Sequence, residues 1–247
     1  MLPRFFVPDL DPAGRAAALP ADEARHLTRV LRLGAGDEIA VFDGRGHEFR
    51  ARVAAAVRDR VQIEILDAIA PAPEPRVPVT LVQAVLKGDS MDAVVRDATM
   101  MGVAAIEPIV TARTIGRRQA LESGRATDRW IRVAVSSAKQ CGRATLPIIG
   151  PGRPLRDWLA RCGSGLKVIL VEPSATSGGE ASLRLLETRA PAALSLLVGP
   201  EGGWAPEERQ LAEAAGCIPV TLGGITLRAD AVPLAAIAVV RFVLGDL

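Results

Sequence analysis

Three glycine-rich or charged segments follow apolar runs in the last third of the chain. They are VEPS (171–174), VGPEGG (198–203) and LGGITLR (222–228). Open parallel sheets bind ligands at the carboxyl ends of their strands. Glycine lets the backbone approach such a ligand and present its N–H and C=O groups. The three segments therefore predict a backbone-lined pocket that suits an adenine and its ribose better than a metal. Glycine is also frequent in ordinary turns, which is the structural alternative for any one segment.

The corner around Gly199–Gly203 is the most pronounced of the three. It ends a buried-looking strand, and Trp204-Ala205-Pro206-Glu207-Glu208 follows directly. Proline suits the first turn of a helix, and acidic side chains suit its positive end. We therefore expect a strand, a tight turn and a helix in quick succession.

Other kinds of site are poorly represented. The sequence contains neither G-x-G-x-x-G between a first strand and helix nor G-x-x-x-x-G-K-[ST], which argues against a Rossmann dehydrogenase and a P-loop NTPase. His26 and His47 stand far from the glycine-rich segments, and no Ser-His-Asp or Cys-His arrangement is evident. Trp130 and Trp158 fall on predicted helices and are expected in the core or at an interface.

Composition indicates a globular protein of one large or two modest domains. The chain has 247 residues, of which 49% are hydrophobic and 23% are charged. The first residues do not form a signal peptide, and no apolar run is long enough to span a membrane. The three scattered cysteines lack metal-ligand spacing and suggest reduced thiols. We expect a cytoplasmic protein without a metal.

Charge is unevenly distributed although the net charge is only +2. Residues 76–160 contain 13 basic and 7 acidic side chains, a balance of +6, whereas the segments before and after it are each −2. A basic block of this kind is compatible with a phosphate-rich partner. A solvated helical face would have the same composition.

The periodicity of apolar residues divides the chain into two parts. Up to residue 70 the pattern predicts short strands, with one helix from Glu23 to Leu33 capped by Asp22, and a small β-barrel. PAPEPRVP (71–78) predicts an extended linker. Strands then alternate with helices to the end of the chain, which predicts an α/β domain with a mostly parallel sheet. The helices are expected at 89–101, 127–141, 180–188, 206–215 and 231–244. We place the domains at residues 1–72 and 73–247.

The quoted segments resemble the ribosomal RNA small subunit methyltransferase E family, within the SPOUT superfamily of knotted methyltransferases. The likeness covers nearly the whole chain. It includes HLTRVLRLGAGDEIAVFDGRG (26–46), KGDSMDAVVRDATMMGVAAIEPIVTART (87–114), RWIRVAVSSAKQCGRATLP (129–147), VGPEGGWAPEE and LGGITLRADA. The resemblance implies a C-terminal α/β domain with a parallel sheet and a trefoil knot, preceded by an RNA-binding PUA-like β-barrel at 1–72.

The resemblance also implies a function and a set of site residues. Members of the family methylate uracil N3 of a uridine in 16S rRNA, using S-adenosylmethionine held bent within the knot. Arg228 is the candidate that stabilises negative charge on the base, and Asp230 or Glu201 is the candidate general base. Glu201 has a structural alternative, in which it hydrogen-bonds backbone N–H groups and shapes the turn. The implied cofactor residues are Val171, Glu172, Val198, Gly199, Pro200, Glu201, Gly202, Gly203, Leu222, Gly223, Leu227 and Arg228.

Partners follow from the same resemblance. Arg113, Gln140 and Arg143 are candidates for contact with 16S rRNA or the small ribosomal subunit, with a solvated surface as the alternative. The family resemblance further implies a homodimer, to which the apolar segment 231–244 is suited.

Several positions depart from the family pattern. Ile225 stands where the family has Arg, Asp230 where it has Glu, Ala231 where it has Thr, and Ser137 where it commonly has Glu. Two other functions therefore stay open. One is an RNA-binding ribosome-assembly factor that has lost catalysis, and the other is a SPOUT methyltransferase acting on tRNA or on a ribose hydroxyl.

Overall fold

A computed structural model describes residues 2–114, 124–175 and 181–246. Its strands are β1 (Arg4–Phe6), β2 (Ala16–Ala18), β3 (Glu38–Phe42), β4 (Glu48–Val57), β5 (Arg60–Ile69), β6 (Val79–Ala84), β7 (Ala105–Val110), β8 (Ile148–Ile149), β9 (Arg153–Pro154), β10 (Leu166–Leu170), β11 (Leu194–Val198) and β12 (Ile218–Val220). Its α-helices are α1 (Ala21–Arg25), α2 (Ser90–Met100), α3 (Arg125–Cys141), α4 (Leu155–Leu159), α5 (Leu185–Arg189), α6 (Pro206–Ala214) and α7 (Val232–Val243).

The chain forms two compact units. One contains Met1–Glu74 together with Val135–Leu146, and the other contains Pro75–Ala134 and Pro147–Leu247. The end of α3 is therefore grouped with the N-terminal residues, from which it is distant in sequence. No helix in the described ranges is both long and apolar enough to cross a membrane.

The first unit is built on a five-stranded sheet with the order β1-β3-β4-β5-β2. β1 pairs with β3 in parallel, and the other pairs are antiparallel. Apolar residues alternate along β4 and β5 because only one face of each strand is buried. The buried face meets Phe5, Leu27 and their neighbours in a small core.

Ion pairs fasten the end of α3 within this first unit. Arg4 pairs with Glu48 at 2.8 Å, and both side chains are almost fully buried. The Arg4 guanidinium also donates to the carbonyls of Lys139 and Arg143. Lys139 in turn pairs with Glu23 at 2.7 Å. A buried arginine that donates to carbonyls at a helix end satisfies groups that the helix itself leaves without partners.

The helix predicted at Glu23–Leu33 differs from the structure. The α-helix begins at Ala21, after Pro20, so Asp22 lies in the first turn and does not cap the helix. It ends at Arg25 and continues as a π-helix, His26–Val30, in which the Leu31 N–H donates to the His26 carbonyl at 3.1 Å. Proline fixes the backbone before the helix, and acidic side chains are also favourable in a first turn. The apolar spacing does not distinguish an α-helix from this wider turn.

The second unit has a parallel seven-stranded sheet with the order β12-β10-β11-β6-β7-β8, and β9 also pairs with β7. Helices cover both faces. Leu196 and Val198 of β11 pack in the cluster that includes α2 and α7, whereas Leu197 packs on the other side with α4 and α6. Burial on both faces explains the continuous apolar strands, and it confirms the predicted α/β class.

Both predicted core tryptophans are buried. Trp130 is fully buried, and Trp158 is 6% exposed. The short strands β1, β2, β8 and β9 have no strong periodic signal and were absent from the prediction, whereas Trp158 lies on a helix, α4, as predicted. The helix predicted at 180–188 is an α-helix over Leu185–Arg189, and residue 180 lies outside the described residues.

Candidate active site

A pocket of about 410 Å³ lies in the second unit, where four neighbouring strands of the sheet end. Residues that follow β6, β10, β11 and β12 line it. They are Leu86, Ser90, Leu170, Val171, Glu172, Pro173, Val198, Gly199, Pro200, Glu201, Gly203, Trp204, Leu222, Ile225, Thr226, Leu227, Arg228, Ala229, Asp230 and Val232. The three segments singled out in the sequence therefore meet at one edge of the sheet, as parallel strands require.

The glycine corner is tight because aromatic and acidic side chains occupy the adjacent space. A Cβ on Gly199 would lie 3.2 Å from the ring of Trp204. The Trp204 indole N–H donates to the Leu170 carbonyl at 2.8 Å, which holds the ring in place. Gly203 has φ +69° and a Cβ there would lie 2.8 Å from a Glu172 carboxylate oxygen. Glycine at both positions thus allows the corner to close on neighbouring groups.

Hydrogen bonds connect the corner to other segments of the chain. Glu201 accepts from the backbone N–H of Lys87 at 2.9 Å. Arg113 Nη1 donates to the Gly202 carbonyl at 2.7 Å. These contacts hold the corner against the segments that follow β6 and β7, so its shape depends on three separate parts of the second unit.

The helix after the corner begins as the sequence predicts. α6 starts at Pro206, and Glu207 and Glu208 lie in its first turn. The Glu208 carboxylate accepts from the backbone N–H of Ala205 at 3.1 Å and from that of Ala112 at 2.7 Å. It therefore satisfies an otherwise unpaired donor at the helix start and also anchors the segment after β7.

Arg228 and Asp230 form an ion pair on the pocket wall. Arg228 Nη2 lies 3.0 Å from Asp230 Oδ2, and Nε lies 3.2 Å from Oδ1. The Arg228 side chain is 83% exposed, whereas that of Asp230 is 26% exposed. A strongly exposed guanidinium next to a pocket is free to turn toward a bound anion at little cost in desolvation.

The structure brings most of the sequence-predicted site residues together. Of the cofactor residues, all but Gly202 and Gly223 line the pocket, as do Arg228 and Asp230. Gly202 nevertheless belongs to the corner and accepts from Arg113. Gly223 has φ +118°, and its carbonyl accepts from the Thr221 hydroxyl at 3.0 Å, so it shapes the third segment, LGGITLR.

The three RNA-contact candidates have different surroundings. Arg113 is exposed and packs against the Gly202–Gly203 backbone. Gln140 is exposed on the part of α3 that belongs to the first unit. Arg143 is buried, and its guanidinium pairs with Glu74 at 2.6 Å. Contact of these residues with RNA stays a prediction.

Sequence reasoning missed several residues of the pocket. Leu86 and Ser90 follow β6, and Trp204, Ile225 and Thr226 line the wall beside predicted positions. The first two were missed because the order of strands in the sheet, which sets β6 beside β11, has no local signal. Ile225 is 80% exposed although it is apolar. Its position in LGGITLR, two residues before Leu227, was the feature of the sequence that could have placed it in the pocket.

The remaining groups considered from the sequence do not line this pocket. His47 belongs to the first unit, where its Nδ1 is hydrogen-bonded to Asp43 Oδ2 at 2.7 Å. The His26 ring packs against the Phe5 ring. The three cysteines are free thiols. In the described part of the chain, no group of three or more His, Cys, Asp or Glu side chains is arranged to hold a metal ion.

Comparisons with known proteins agree with this architecture. The RNA methyltransferase domain model matches residues 73–241, and the RNA methyltransferase PUA domain model matches residues 19–66. Ribosomal RNA small subunit methyltransferase E of Synechocystis sp. is 30% identical over 226 residues, which are 92% of this chain and 73% of that protein. Its counterpart from Mycobacterium bovis is 30% identical, covering 95% of this chain and 90% of that one.

Solved structures extend the agreement to the fold and to a ligand. Ribosomal RNA small subunit methyltransferase E from Neisseria gonorrhoeae, bound to S-adenosylmethionine, matches with a TM-score of 0.86 and 34% identity, covering 98% of both chains. A Legionella pneumophila protein in complex with the same cofactor matches with a TM-score of 0.87 and 25% identity, again over 98% of both chains. By its sequence, its two domain matches and its fold, the chain belongs to the ribosomal RNA small subunit methyltransferase E family.

Proposed function

We propose that the protein transfers a methyl group from S-adenosylmethionine to N3 of a uracil in 16S rRNA of the small ribosomal subunit, in the cytoplasm. One observation carries the proposal. The three segments singled out in the sequence, two of which resemble the cofactor loops of the family, line a single pocket at the carboxyl ends of adjacent parallel strands. The family membership supports rRNA methylation, and the position N3 is the finer part of the proposal.

The pocket fits the cofactor in both size and chemistry. A cavity of about 410 Å³ is within the range of small-molecule sites. At Gly199 and Gly203 the backbone borders the pocket without a side chain between it and a ligand. Apolar side chains of Leu170, Leu222 and other residues supply walls for an adenine ring. We propose that the twelve residues that the family resemblance implies for the cofactor hold it, with Arg228 contributing through its backbone and not through its guanidinium.

The cofactor supplies an activated methyl group on a positively charged sulfur. Uracil N3 has to lose a proton for the transfer, and negative charge then spreads to the ring oxygens. Alignment of the base with the methyl group contributes much of the rate. The Arg228 guanidinium is positioned at the pocket to attract that charge, since 83% of its side chain is exposed to an incoming base.

Asp230 is the proposed acceptor of the N3 proton. It lines the pocket and its carboxylate is held by Arg228 at 3.0 Å. When Arg228 turns to the base, one carboxylate oxygen is released to accept a proton. Glu201 is the other carboxylate at the site. Its bond to the Lys87 N–H favours a structural role in shaping the corner, so we assign catalysis to Asp230.

We propose that Arg113, Gln140 and Arg143 form the RNA surface, in different roles. Arg113 supports the assignment best, because its exposed side chain lies against the cofactor corner. Gln140 presents an exposed amide. Arg143 is held by Glu74, so we propose that it orders the RNA surface around it and does not bind a phosphate directly.

We propose further that the protein is a homodimer through α7. Leu234, Val239 and Phe242 of this helix are 40%, 41% and 75% exposed. Three exposed apolar side chains on one helix are unfavourable in water and favour a second copy as partner.

We also propose that the second domain is knotted and that the domain boundary lies between residues 72 and 73. A Cβ on Gly199 or Gly203 would lie within 3.2 Å of the Trp204 or Glu172 side chain. Such close approach of separate chain segments supports the knot.

Two other functions remain alternatives. Loss of the family arginine at position 225 leaves an exposed isoleucine on the pocket wall, which favours an RNA-binding assembly factor without catalysis. A SPOUT enzyme acting on tRNA or a ribose hydroxyl would keep the same pocket. The PUA domain match argues against the second alternative, because it agrees with the family over both parts of the chain.

Methyl transfer tests the proposal directly. The protein is incubated with labelled S-adenosylmethionine and small ribosomal subunits that lack uridine methylation, and the nucleosides are then identified by mass spectrometry. We expect N3-methyluridine. A different methylated nucleoside would show another target, and cofactor binding without any product would favour the assembly factor. tRNA in place of the subunits is the matched substrate control.

A further inference from the structure

A second groove lies in the first unit, between the segment 28–35 and the tip of the β4–β5 hairpin at 56–60. Its volume is about 1140 Å³. Small-molecule sites are usually smaller, at about 300 to 1,000 Å³. The groove therefore has room for a segment of another macromolecule.

Exposed apolar side chains accompany the groove on both sides. Val57 lines it from the hairpin and is 67% exposed. Val30 and Leu31 belong to the segment on the other side and are 64% and 40% exposed. No other large apolar side chain in the described part of the first unit is exposed to this degree. Single exposed apolar residues are common on protein surfaces, whereas several of them around one groove indicate an interaction site.

The same groove also has unpaired positive charge. Its charged lining residues are Arg29, Arg58, Arg60 and Asp59. Asp59 pairs with Arg29 at 2.8 Å. Arg58 and Arg60 are exposed and form no ion pair with any residue in the described ranges. Their guanidiniums are therefore available to an external carboxylate, which arginine binds through paired N–H donors.

The hairpin presents one of these arginines from an unfavourable backbone conformation. Val57 pairs with Arg60, so Arg58 and Asp59 form a two-residue loop, and Arg58 has φ +55°. Glycine or asparagine is the preferred residue for a positive φ in such a loop. A positive φ at a bulkier residue costs stability and points to a function for its side chain.

We propose that this groove is a docking surface for an acidic, aliphatic segment of a partner protein. Carboxylates of the segment pair with Arg58 and Arg60, and its aliphatic side chains pack on Val57 and Val30. Burial of the valines adds affinity, while the arginines orient the segment and speed its association. Docking at this groove does not depend on the proposed methyl transfer.

The apolar part of the groove favours a protein over an RNA as its partner. A phosphodiester backbone is bound by cationic and polar groups and has no aliphatic side chains that would cover exposed valines. Unpaired bases stack on aromatic rings, and none of the described lining residues is aromatic. A segment with both Glu or Asp and Leu, Ile or Val matches both halves of the surface.

Binding of a labelled synthetic peptide to the full-length protein, followed by fluorescence anisotropy, tests the proposal. The peptide consists of alternating Glu and Leu, and a control peptide has Ser in place of Leu. We expect the Glu/Leu peptide to bind about tenfold more tightly than the control, because apolar burial adds to ion pairing. Equal affinities of the two peptides would overturn the proposal, as would a Glu/Leu peptide that does not bind.

Variants of the groove separate its two components. V57S should weaken binding of the Glu/Leu peptide about fivefold. I148S is its control, since Ile148 is similarly exposed at 72% but belongs to the second unit. R58N should weaken binding of both peptides about threefold at low salt and less at high salt. R15N removes one charge from an exposed arginine of the same unit outside the groove lining, and it should bind as the unchanged protein does.

A 16S rRNA transcript distinguishes the two classes of partner. We expect V57S to bind the transcript within about twofold of the unchanged protein. If R58N weakens binding of the transcript while V57S leaves peptide affinity unchanged, the groove is a phosphate site and the proposal is wrong. Equal losses of peptide affinity in V57S and I148S would also overturn it. Thermal unfolding checks that the variants fold, and R58N should melt no lower than the unchanged protein because asparagine tolerates a positive φ.

Discussion

The Glu201 carboxylate accepts a hydrogen bond from the backbone N–H of Lys87, 2.9 Å away and 114 positions earlier in the chain. β6 and β11 are neighbours in the sheet, so this bond joins the segments that follow two adjacent strands. It holds the wall of the pocket to the start of α2. Glu201 is therefore a structural part of the corner.

E201A should loosen the corner without unfolding the protein. Loss of this partly exposed bond is expected to cost about 1 kcal/mol in the free energy of unfolding and to weaken cofactor binding about tenfold. Calorimetry of S-adenosylmethionine binding and chemical denaturation check both values. E201Q keeps an acceptor oxygen and should bind nearly as the unchanged protein does. E207A, in the exposed first turn of α6, is the control; an equal effect there would contradict the role of Glu201.

R228A should impair turnover far more than cofactor binding. Arg228 is expected to stabilise charge that develops on the base, so kcat should fall by about 100-fold or more. The cofactor Kd should change by less than about threefold, and stability should hardly change, because the side chain is 83% exposed. Single-turnover kinetics and calorimetry separate the two effects. Proportional losses of turnover and cofactor affinity would refute the assignment.

G203A should disturb the site through its backbone. Gly203 has φ +69°, and an added Cβ would lie 2.8 Å from the Glu172 carboxylate. We expect a loss of about 1 to 2 kcal/mol in the free energy of unfolding together with weaker cofactor binding. G224A is the matched control, since a Cβ on Gly224 has no neighbour within 4 Å. Denaturation of both variants in parallel should show a difference; similar values would mean that the corner tolerates a side chain.

Asp43 should make the first unit sensitive to acid. Burial raises its pKa, but hydrogen bonds from His47 and Arg45 outweigh that effect and lower it to about 2. A depressed pKa in the folded state means stability that is present above the unfolded value of 3.8 and is lost as the pH falls toward 2. D43N should destabilise the protein by about 2 kcal/mol at pH 7 and by much less near pH 2. Denaturant titrations at the two pH values test this, and a pH-independent difference would contradict it.

F242E should convert the proposed dimer to a monomer. Phe242 is 75% exposed on α7, where a charge would be buried against the second copy. Sedimentation analysis should show the mass halved, with the thermal midpoint of the monomer retained. L211E places the same charge on α6, where Leu211 is 37% exposed, and should leave the dimer intact. Identical masses for F242E and the unchanged protein would place the interface elsewhere.

Local chemistry in the sequence determined the elements around the site. Pro206 and the acidic residues after it predicted where α6 begins, because helix starts depend on a few adjacent residues. The apolar runs predicted the parallel strands, since burial on both faces leaves a continuous pattern. The resemblance to the family predicted the cofactor loops and the roles of Arg228 and Asp230. The periodicity of apolar residues does not carry that information.

Only the tertiary structure decided which segments meet. The strand order β12-β10-β11-β6 brings Leu86 and Ser90 to the pocket, and strand order depends on long-range packing with no signal in neighbouring residues. Likewise, the basic block in the sequence contains both Arg113 and Arg143. Arg113 is exposed beside the glycine corner, whereas Arg143 is buried and forms an ion pair with Glu74. Charge is a property of the residue, whereas its accessibility depends on what folds against it.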